Sequence, residues 1–293
     1  MSKLALGTAQ FTMSYGVANR RNFIPLDELY LILEEAYRNN IRLIDTSPLY
    51  GNTEAVLGEI CSTKNLSFSI ISKLPFINHL SDIDFLILST LKNLKLKVLE
   101  GYLIHHFSLF LEKPNIWNYL LFFKKKGLIK KLGFSIYHPY EWQEITKRDI
   151  IPDLIQIPLS IFDQRFMEFI PEMISLGVEI HVRSVFLQGL IFLSPDNFPS
   201  DFNILRSKLS DLIDISLENN LTLLELFLGF AITTPGISKV IVGIDSLSQF
   251  KEILSALSKV RAVSYLRNDL QKYQIEREDL IVPYLWPQDL VKT

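Results

Sequence analysis

The sequence is poor in features that mark several large classes of protein. Only Cys61 among its 293 residues is a cysteine, so the chain holds neither an intramolecular disulfide nor a Cys-x-x-Cys metal or redox motif. It also lacks an excess of charge of either sign, since 30 basic residues stand against 32 acidic ones and the net charge is −2. Nucleic-acid-binding proteins usually carry a basic face or stripe, so we expect no nucleic-acid partner.

Long apolar runs are scarce as well. The N-terminus has too short an apolar stretch for a signal peptide. The most apolar stretch, residues 221–235, contains Glu225 and is shorter than the ~20 residues of a membrane span. These features predict a globular protein of the cytoplasm with no membrane partner, and they leave open whether it is an enzyme.

What the sequence does contain is a regular alternation of strand-like and helical segments. Strands that alternate with helices build parallel sheets, and eight such units in a chain of this length predict a single-domain (β/α)8 barrel over residues 1–293. A doubly wound sheet is the alternative, but the Gly-x-Gly-x-x-Gly turn of dinucleotide-binding sheets is absent from the sequence. The eight apolar, β-branched runs begin near Leu4, Arg42, Phe68, Val98, Lys130, Leu154, Val178 and Lys239.

Several helices have recognisable ends. The first is expected to begin after Pro25, and an extra helix over about residues 204–218 precedes a helix over residues 221–233. Ser246 and Gln249 have the spacing of a capping box and predict a helix start after the last strand.

Ionisable residues stand where three predicted strands end. Asp45, Lys73 and His105 lie inside or at the edge of apolar runs, and barrel enzymes collect their catalytic residues from such strand ends. Because an isolated buried charge is costly, Asp45 and Lys73 are expected to pair. Neighbouring strand residues point to opposite sides, so His106 is expected to face away from the barrel interior.

Tyr50 follows Asp45 by five residues and would fold back over the same end of the barrel. A phenol has an unperturbed pKa of about 10, too high for efficient proton transfer at neutral pH. A nearby ammonium such as that of Lys73 is expected to lower this pKa, and an imidazole could hydrogen-bond the phenol oxygen. Together with His105, these groups would form a general acid for reducing a carbonyl.

With these residues in place, the sequence resembles the aldo-keto reductase family. The aspartate–tyrosine spacing followed by Gly-Asn-Thr-Glu54 is a fairly specific signature. The start directly at the first strand resembles a bacterial subgroup associated with sugar and surface-polysaccharide metabolism. The matching segments are residues 6–8, 44–58, 71–73, 102–105, 131–135, 155–156, 183–189 and 240–243.

The resemblance implies an enzyme that uses NADH or NADPH without a Rossmann domain. It would reduce an aldehyde, ketone or sugar carbonyl to an alcohol, or catalyse the reverse. Its catalytic residues would be Asp45, Tyr50, Lys73 and His105, with Tyr50 as the general acid. The residues that the resemblance places at the cofactor are Gly7, Thr8, Asp45, Ser135, Gln156, Arg183, Ser184, Gly243, Asp245 and Gln249.

Within that set the resemblance implies particular roles. Ser135 and Gln156 would hold the nicotinamide carboxamide, and Ser184 would meet the pyrophosphate. Arg183 stands where the family usually has an aromatic that stacks on the nicotinamide, and a guanidinium can also stack. Asp245 stands where NADPH-binding members often have a basic residue, so we expect NADH to be preferred.

Other readings remain beside this one. A cofactor-binding regulatory protein on the same fold, with little turnover, is the alternative function. A metal-dependent hydrolase or isomerase lacks a visible ligand set, and no metal site is expected. The C-terminal segment 261–293 is expected near the pocket, where Trp286 either lines the pocket or anchors the tail. The substrate would be a small molecule and the protein a monomer or small homo-oligomer.

Overall fold

Eight parallel strands close into a barrel in the computed structural model, which describes residues 2–286. Each strand pairs with its two neighbours in chain order, and the last pairs with the first. The predicted (β/α)8 barrel is therefore confirmed, with every strand close to its predicted position. The strands are β1 (Leu4–Gly7), β2 (Leu43–Asp45), β3 (Ser69–Leu74), β4 (Leu99–Ile104), β5 (Ile129–Ser135), β6 (Leu154–Pro158), β7 (Glu179–Arg183) and β8 (Ile237–Gly243).

Helices surround the barrel and connect successive strands. The first begins directly after Pro25, and the extra helix before the last strand is present, both as predicted. The α-helices are α1 (Leu26–Arg38), α2 (Thr53–Thr63), α3 (Asp82–Asn93), α4 (Phe107–Glu112), α5 (Ile116–Lys125), α6 (Pro139–Thr146), α7 (Ile170–Ser175), α8 (Asn203–Glu218), α9 (Leu223–Thr233), α10 (Leu247–Ala256), α11 (Val260–Val263), α12 (Arg267–Leu270) and α13 (Glu278–Ile281). The 3₁₀ helices are Leu187–Phe192, Pro195–Asn197, Ser200–Phe202, Gln271–Tyr273 and Pro283–Leu285.

Two hydrophobic layers hold the barrel together. Because side chains alternate along a strand, Ile70 and Leu74 of β3 pack outward against the helices, whereas Ile71 points inward. The inward layer fills the barrel and forms a floor beneath the polar residues at the strand ends. Its members are Ala5, Leu43, Ile71, Leu103, Leu154 and Ile241.

The start of α10 differs in one respect from the predicted capping box. Ser246 Oγ accepts a hydrogen bond from the Gln249 N–H at 3.1 Å, as expected. The Gln249 side chain, however, accepts from the Asp245 N–H at 2.7 Å rather than from that of Ser246. The extended Ser246 backbone (φ −159°) places the preceding amide, not its own, within reach of the glutamine.

The C-terminal segment is anchored through Trp286. Its indole is buried, donates to the Leu280 carbonyl at 3.1 Å and packs edge-on against Phe202. Trp286 therefore anchors the chain and is not among the described residues that line the pocket. Tyr284 stands edge-on to Tyr137 with ring centres 5.0 Å apart. The rest of the segment, residues 287–293, lies outside the described residues.

Over the described part of the chain, no single helix has the length and apolar composition to cross a membrane. One bent pair, Ser200–Glu218 and Leu223–Thr233, meets those two criteria when its halves are taken together, with an angle of 92° between them.

Candidate active site

The polar residues at the strand ends form the next layer of inward-facing positions above the apolar floor of the barrel. Alternate residues of a strand face the same side, so the position two residues after each floor residue also points into the barrel. Polar side chains and glycines thus replace the apolar ones at the strand C-terminal ends, where barrel enzymes place their chemistry. These positions are Gly7, Asp45, Lys73, His105, Gln156 and Gly243.

Asp45 and Lys73 form a buried ion pair, as the sequence led us to expect. Lys73 Nζ donates to Asp45 Oδ1 at 2.5 Å and to the Thr46 carbonyl at 3.1 Å. Gln156 Nε2 donates to the other carboxylate oxygen at 2.8 Å. Burial lowers the pKa of Lys73, and the Asp45 carboxylate opposes that shift. The carboxylate therefore fixes both the ammonium and the amide beneath the pocket.

Tyr50 is held by its backbone. Its carbonyl accepts from Thr12 Oγ1 at 2.9 Å and from Thr53 Oγ1 at 2.6 Å, which ties the loop after β2 to the loop after β1 and to the start of α2. Lys73 Nζ lies 5.2 Å from the centre of the Tyr50 ring.

The predicted lowering of the Tyr50 pKa by Lys73 is wrong for this arrangement. Desolvation inside the pocket raises the pKa of Tyr50 above its usual value near 10, and the Asp45 carboxylate raises it further. The ammonium is bonded to Asp45 and does not outweigh these effects. The phenol consequently stays protonated at neutral pH.

His105 is a neutral imidazole beside Tyr50. Its Nδ1 lies 3.3 Å from Ser47 Oγ, and its ring stands edge-on to the Tyr50 ring at 6.2 Å. Burial, followed by the charge of Lys73, lowers the pKa of His105 to about 2. His106 stacks between His105 and Phe76, outside the pocket, as its position next to an inward-facing residue predicted.

One pocket gathers nearly all the predicted site residues. Lys73 is the exception, since it lies behind Asp45 and is 1% exposed. The predicted residues on the pocket wall are Gly7, Thr8, Asp45, Tyr50, His105, Ser135, Gln156, Arg183, Ser184, Gly243, Asp245 and Gln249. Other polar wall residues were not singled out from the sequence: Gln10, Tyr15, Asn19, Tyr137 and Gln188. Tyr15 and Tyr137 had a weak signal, because each stands a few residues beyond a strand end.

Arg183 is already stacked on an aromatic ring of the protein. Its guanidinium lies 3.8 Å from the centre of the Tyr137 ring and donates to the Ile136 carbonyl at 3.0 Å and to Ser184 Oγ at 3.2 Å. Tyr137 therefore covers one face of the guanidinium. The positive charge of Arg183 partly offsets the upward shift of the Tyr50 pKa.

The loop after β7 forms a strained, polar wall. Ser184, Leu187 and Gln188 have φ values of 60°, 46° and 54°, in the left-handed region that non-glycine residues avoid. Within this turn the Leu187 and Gly189 N–H groups donate to the Ser184 and Phe186 carbonyls at 3.0 and 2.9 Å, so the loop fixes its own backbone.

Two glutamine side chains of the pocket each have an oxygen without a partner among the described residues. Gln10 Oε1 and Gln188 Oε1 are buried and accept no hydrogen bond from residues 2–286. A Cβ at Gly243 would displace the end of the Gln10 side chain, which packs against this glycine. The pocket thus fits a long polar ligand such as a nicotinamide dinucleotide. A group of three or more His, Cys, Asp or Glu side chains arranged to hold a metal ion is not found among the described residues.

Comparisons with known proteins agree with this geometry. The model of the Aldo/keto reductase family matches residues 3–270. The chain belongs to that family, and it is accordingly an oxidoreductase, as the sequence resemblance implied. A comparison with curated proteins finds no significant match.

Many solved structures share the fold, and two of them are compared with this chain. One is the aldo-keto reductase AKR11C1 from Bacillus halodurans in its holo form, with a TM-score of 0.75 and 21% identity over 94% of each chain. The other is the glycerol dehydrogenase AKR11B4 from Gluconobacter oxydans, with a TM-score of 0.71 and 17% identity over 97% of this chain and 93% of that one.

Proposed function

We propose that this protein reduces the carbonyl group of a small molecule, such as an aldehyde, ketone or sugar, to an alcohol, or catalyses the reverse reaction, with NADH or NADPH. The observation that carries the proposal is that Tyr50, His105 and the Asp45–Lys73 pair meet at one end of a pocket with a polar wall suited to a dinucleotide. The family supports it, and so do a holo aldo-keto reductase and a glycerol dehydrogenase among the structures of similar fold.

We also propose a cytoplasmic protein that acts as a monomer or small homo-oligomer. A single, partly buried cysteine suits a reducing compartment. The near-balanced charge offers no support for a polyanionic partner.

Each residue at the end of the pocket has its own role in protonating the carbonyl oxygen. A bound nicotinamide cofactor supplies the hydride that reaches the carbonyl carbon. Tyr50 donates its phenolic proton to the carbonyl oxygen as negative charge develops there, and its raised pKa keeps that proton in place beforehand. His105, with Nδ1 at Ser47, presents Nε2 to the same oxygen. Asp45 holds Lys73 in place, and the charge of Arg183 favours the phenolate that remains.

The cofactor would lie along the polar wall. Ser135 and Gln156 would bind the carboxamide, while Ser184 and the backbone beyond it would meet the pyrophosphate. Arg183, stacked on Tyr137, would lie against the nicotinamide.

The test is an assay of reduced-nicotinamide consumption over a panel of aldehydes, ketones and sugars, with cofactor binding measured separately. We expect turnover on at least one class of carbonyl. Tyr50→Phe should lose that turnover and keep cofactor binding, whereas Tyr265→Phe, at an 88% exposed position, should keep both. A protein that binds the cofactor and turns over nothing on the panel would instead be a regulatory member of the family.

A further inference from the structure

The pocket opens into a second chamber at the edge of the barrel, with a volume of about 700 Å³. Gly243, Asp245 and Gln249 line both the pocket and this chamber. Tyr50 and His105 lie in the first pocket only. A dinucleotide with its reactive ring at Tyr50 therefore places its adenosine end in the second chamber.

Two helices begin at this chamber, and an acidic side chain lies at the start of each. Helix N-termini attract phosphates because their first N–H groups are free and their dipoles point positive charge outward. At α9, Glu225 accepts a hydrogen bond from the Thr222 N–H at 2.7 Å, and Thr222 Oγ1 accepts from the Glu225 N–H at 3.2 Å. The Glu225 carboxylate thus brings negative charge to the start of α9, where it opposes a bound phosphate.

At α10 the blocking carboxylate comes from the other end of the chain. Glu28 of α1 accepts a hydrogen bond from the Leu247 N–H at 2.8 Å through Oε1. Its second oxygen binds Arg21 at 2.8 Å, and the same Arg21 nitrogen donates to the Asp245 carbonyl at 3.0 Å. Glu28 thus neutralises both the helix start and the arginine beside it.

The charged side chains of the chamber wall add to this effect. Glu225, Asp245 and Glu252 line the chamber, and Arg20 is the one basic residue on the described wall. Lys259, which is not on that wall, pairs with Glu225 at 3.5 Å. A phosphate on the adenosine ribose carries close to two negative charges at neutral pH. It would meet the carboxylates of Asp245 and Glu252 as well, and the first N–H group of α10 is already bonded to Glu28.

We infer that this chamber, which is lined by Asp245, Glu225 and Glu252 and adjoins Glu28 at the start of α10, accepts an adenosine whose 2′-hydroxyl is free and excludes one that carries a 2′-phosphate. The protein therefore selects NAD(H) over NADP(H), and Glu28 is a specificity-determining residue. The sequence pointed to Asp245 alone. This inference rests on the proposed function, since it presumes that a nicotinamide dinucleotide binds.

Isothermal titration calorimetry on the full chain tests it without any turnover. The probes are NAD⁺, NADP⁺, ADP-ribose and 2′-phospho-ADP-ribose. We expect each unphosphorylated ligand to bind at least ~10-fold more tightly than its 2′-phosphorylated counterpart, and the ratio to shrink as added salt screens the carboxylates.

Variants that each remove one carboxylate charge separate the contributions of Glu28 and Glu252 to this selectivity. Glu28→Gln removes the charge but keeps an acceptor for the Leu247 N–H. Glu252→Gln alters an exposed side chain, so this second variant provides a test even if Glu28→Gln fails to fold. We expect each to tighten NADP⁺ binding several-fold while NAD⁺ binding changes less than about twofold. Glu112→Gln on α4, an exposed carboxylate away from the chamber, should change neither.

Three results would overturn the inference. The first is NADP⁺ binding as tightly as NAD⁺ to the unmodified protein. The second is an unchanged ratio in both variants. The third is a preference for NADP⁺ that Arg20→Gln abolishes, which would make Arg20 the phosphate ligand. Failure of all four probes to bind the folded protein would instead refute the proposed function, and the inference with it.

Discussion

Replacing Lys73 by methionine tests the buried ion pair between Asp45 and Lys73. Methionine keeps most of the buried volume but removes the ammonium that donates to Asp45 and to the Thr46 carbonyl. Both charged side chains are almost wholly buried, at 1% and 6% exposure. Breaking a buried pair on one side costs about 3–5 kcal/mol because the other charge is left without its partner. The Gln156 amide still serves one carboxylate oxygen, so we place Lys73→Met near the lower end, about 3 kcal/mol.

Chemical denaturation of the wild type, Lys73→Met, Lys130→Met, Asp45→Leu and the double variant measures this cost. Lys73→Met should lower the free energy of unfolding by about 3 kcal/mol, whereas Lys130→Met, whose ammonium is 62% exposed and pairs with Glu100, should lose less than about 1 kcal/mol. The double variant Lys73→Met/Asp45→Leu should recover a large part of the loss, because it removes the unpaired charge as well. A Lys73→Met protein within about 1 kcal/mol of wild type, or a double variant that adds the two single losses, would refute the buried pair.

Three further predictions concern the acid and its support. Tyr50→Phe should lower kcat by ~10² or more with little change in the cofactor Kd, since only the proton donor is lost; a near-native kcat would mean that another group is the acid. Because the Tyr50 pKa is raised above its ordinary value near 10, kcat/KM for carbonyl reduction should stay level from about pH 6 to pH 9, and kcat/KM for alcohol oxidation should rise with pH as the required phenolate becomes more populated. A reduction profile that falls through pH 7–8 would contradict the direction of this shift. Glu54→Ala should lower the free energy of unfolding by about 2–4 kcal/mol, because it leaves the buried hydroxyls of Ser72 and Thr90 without their hydrogen-bond acceptor. Glu54→Gln keeps an acceptor and should lower the free energy of unfolding by less than half as much. Thermal and chemical denaturation measure both losses.

The strand ends could be located from the sequence because they break its apolar pattern. A period of two fixes which residues share a face, so a charged residue two positions after an inward apolar one is visible without a structure. Asp45 follows Leu43 in this way, and Lys73 follows Ile71. The Gly-Asn-Thr-Glu signature also has a structural reason, since Glu54 joins α2 to β3 and α3 through two hydroxyls.

The loops above the strands could not be predicted in the same way. The wall formed by Tyr15, Tyr137 and Gln188 comes from the loops after β1, β5 and β7, and their conformations depend on contacts between distant segments. Gln188 Nε2 donates to the Tyr15 hydroxyl at 3.0 Å, 173 positions away along the chain. No local sequence pattern predicts that Gln188 adopts a left-handed backbone conformation. The direction of the Tyr50 pKa shift was missed for a related reason, because sequence shows which charges are near but not how far the phenol is desolvated.

The division between strands and loops separates the two proposed functions of the pocket, which are proton transfer at the strand ends and cofactor binding at the loops and helix starts. Asp45, Lys73 and His105 lie on or directly beside strands whose inward register is fixed by pairing on both sides, and Tyr50 is held against them by the short loop after β2. The groups that meet the far end of the cofactor are helix starts and side chains such as Glu28, which reaches α10 from α1 across 219 positions. Substitutions there can change the electrostatics of the chamber without moving Asp45 or Lys73. Cofactor preference should therefore be adjustable at Glu28 and Glu252 while the pH dependence of reduction, set by Tyr50 and its surroundings, stays the same.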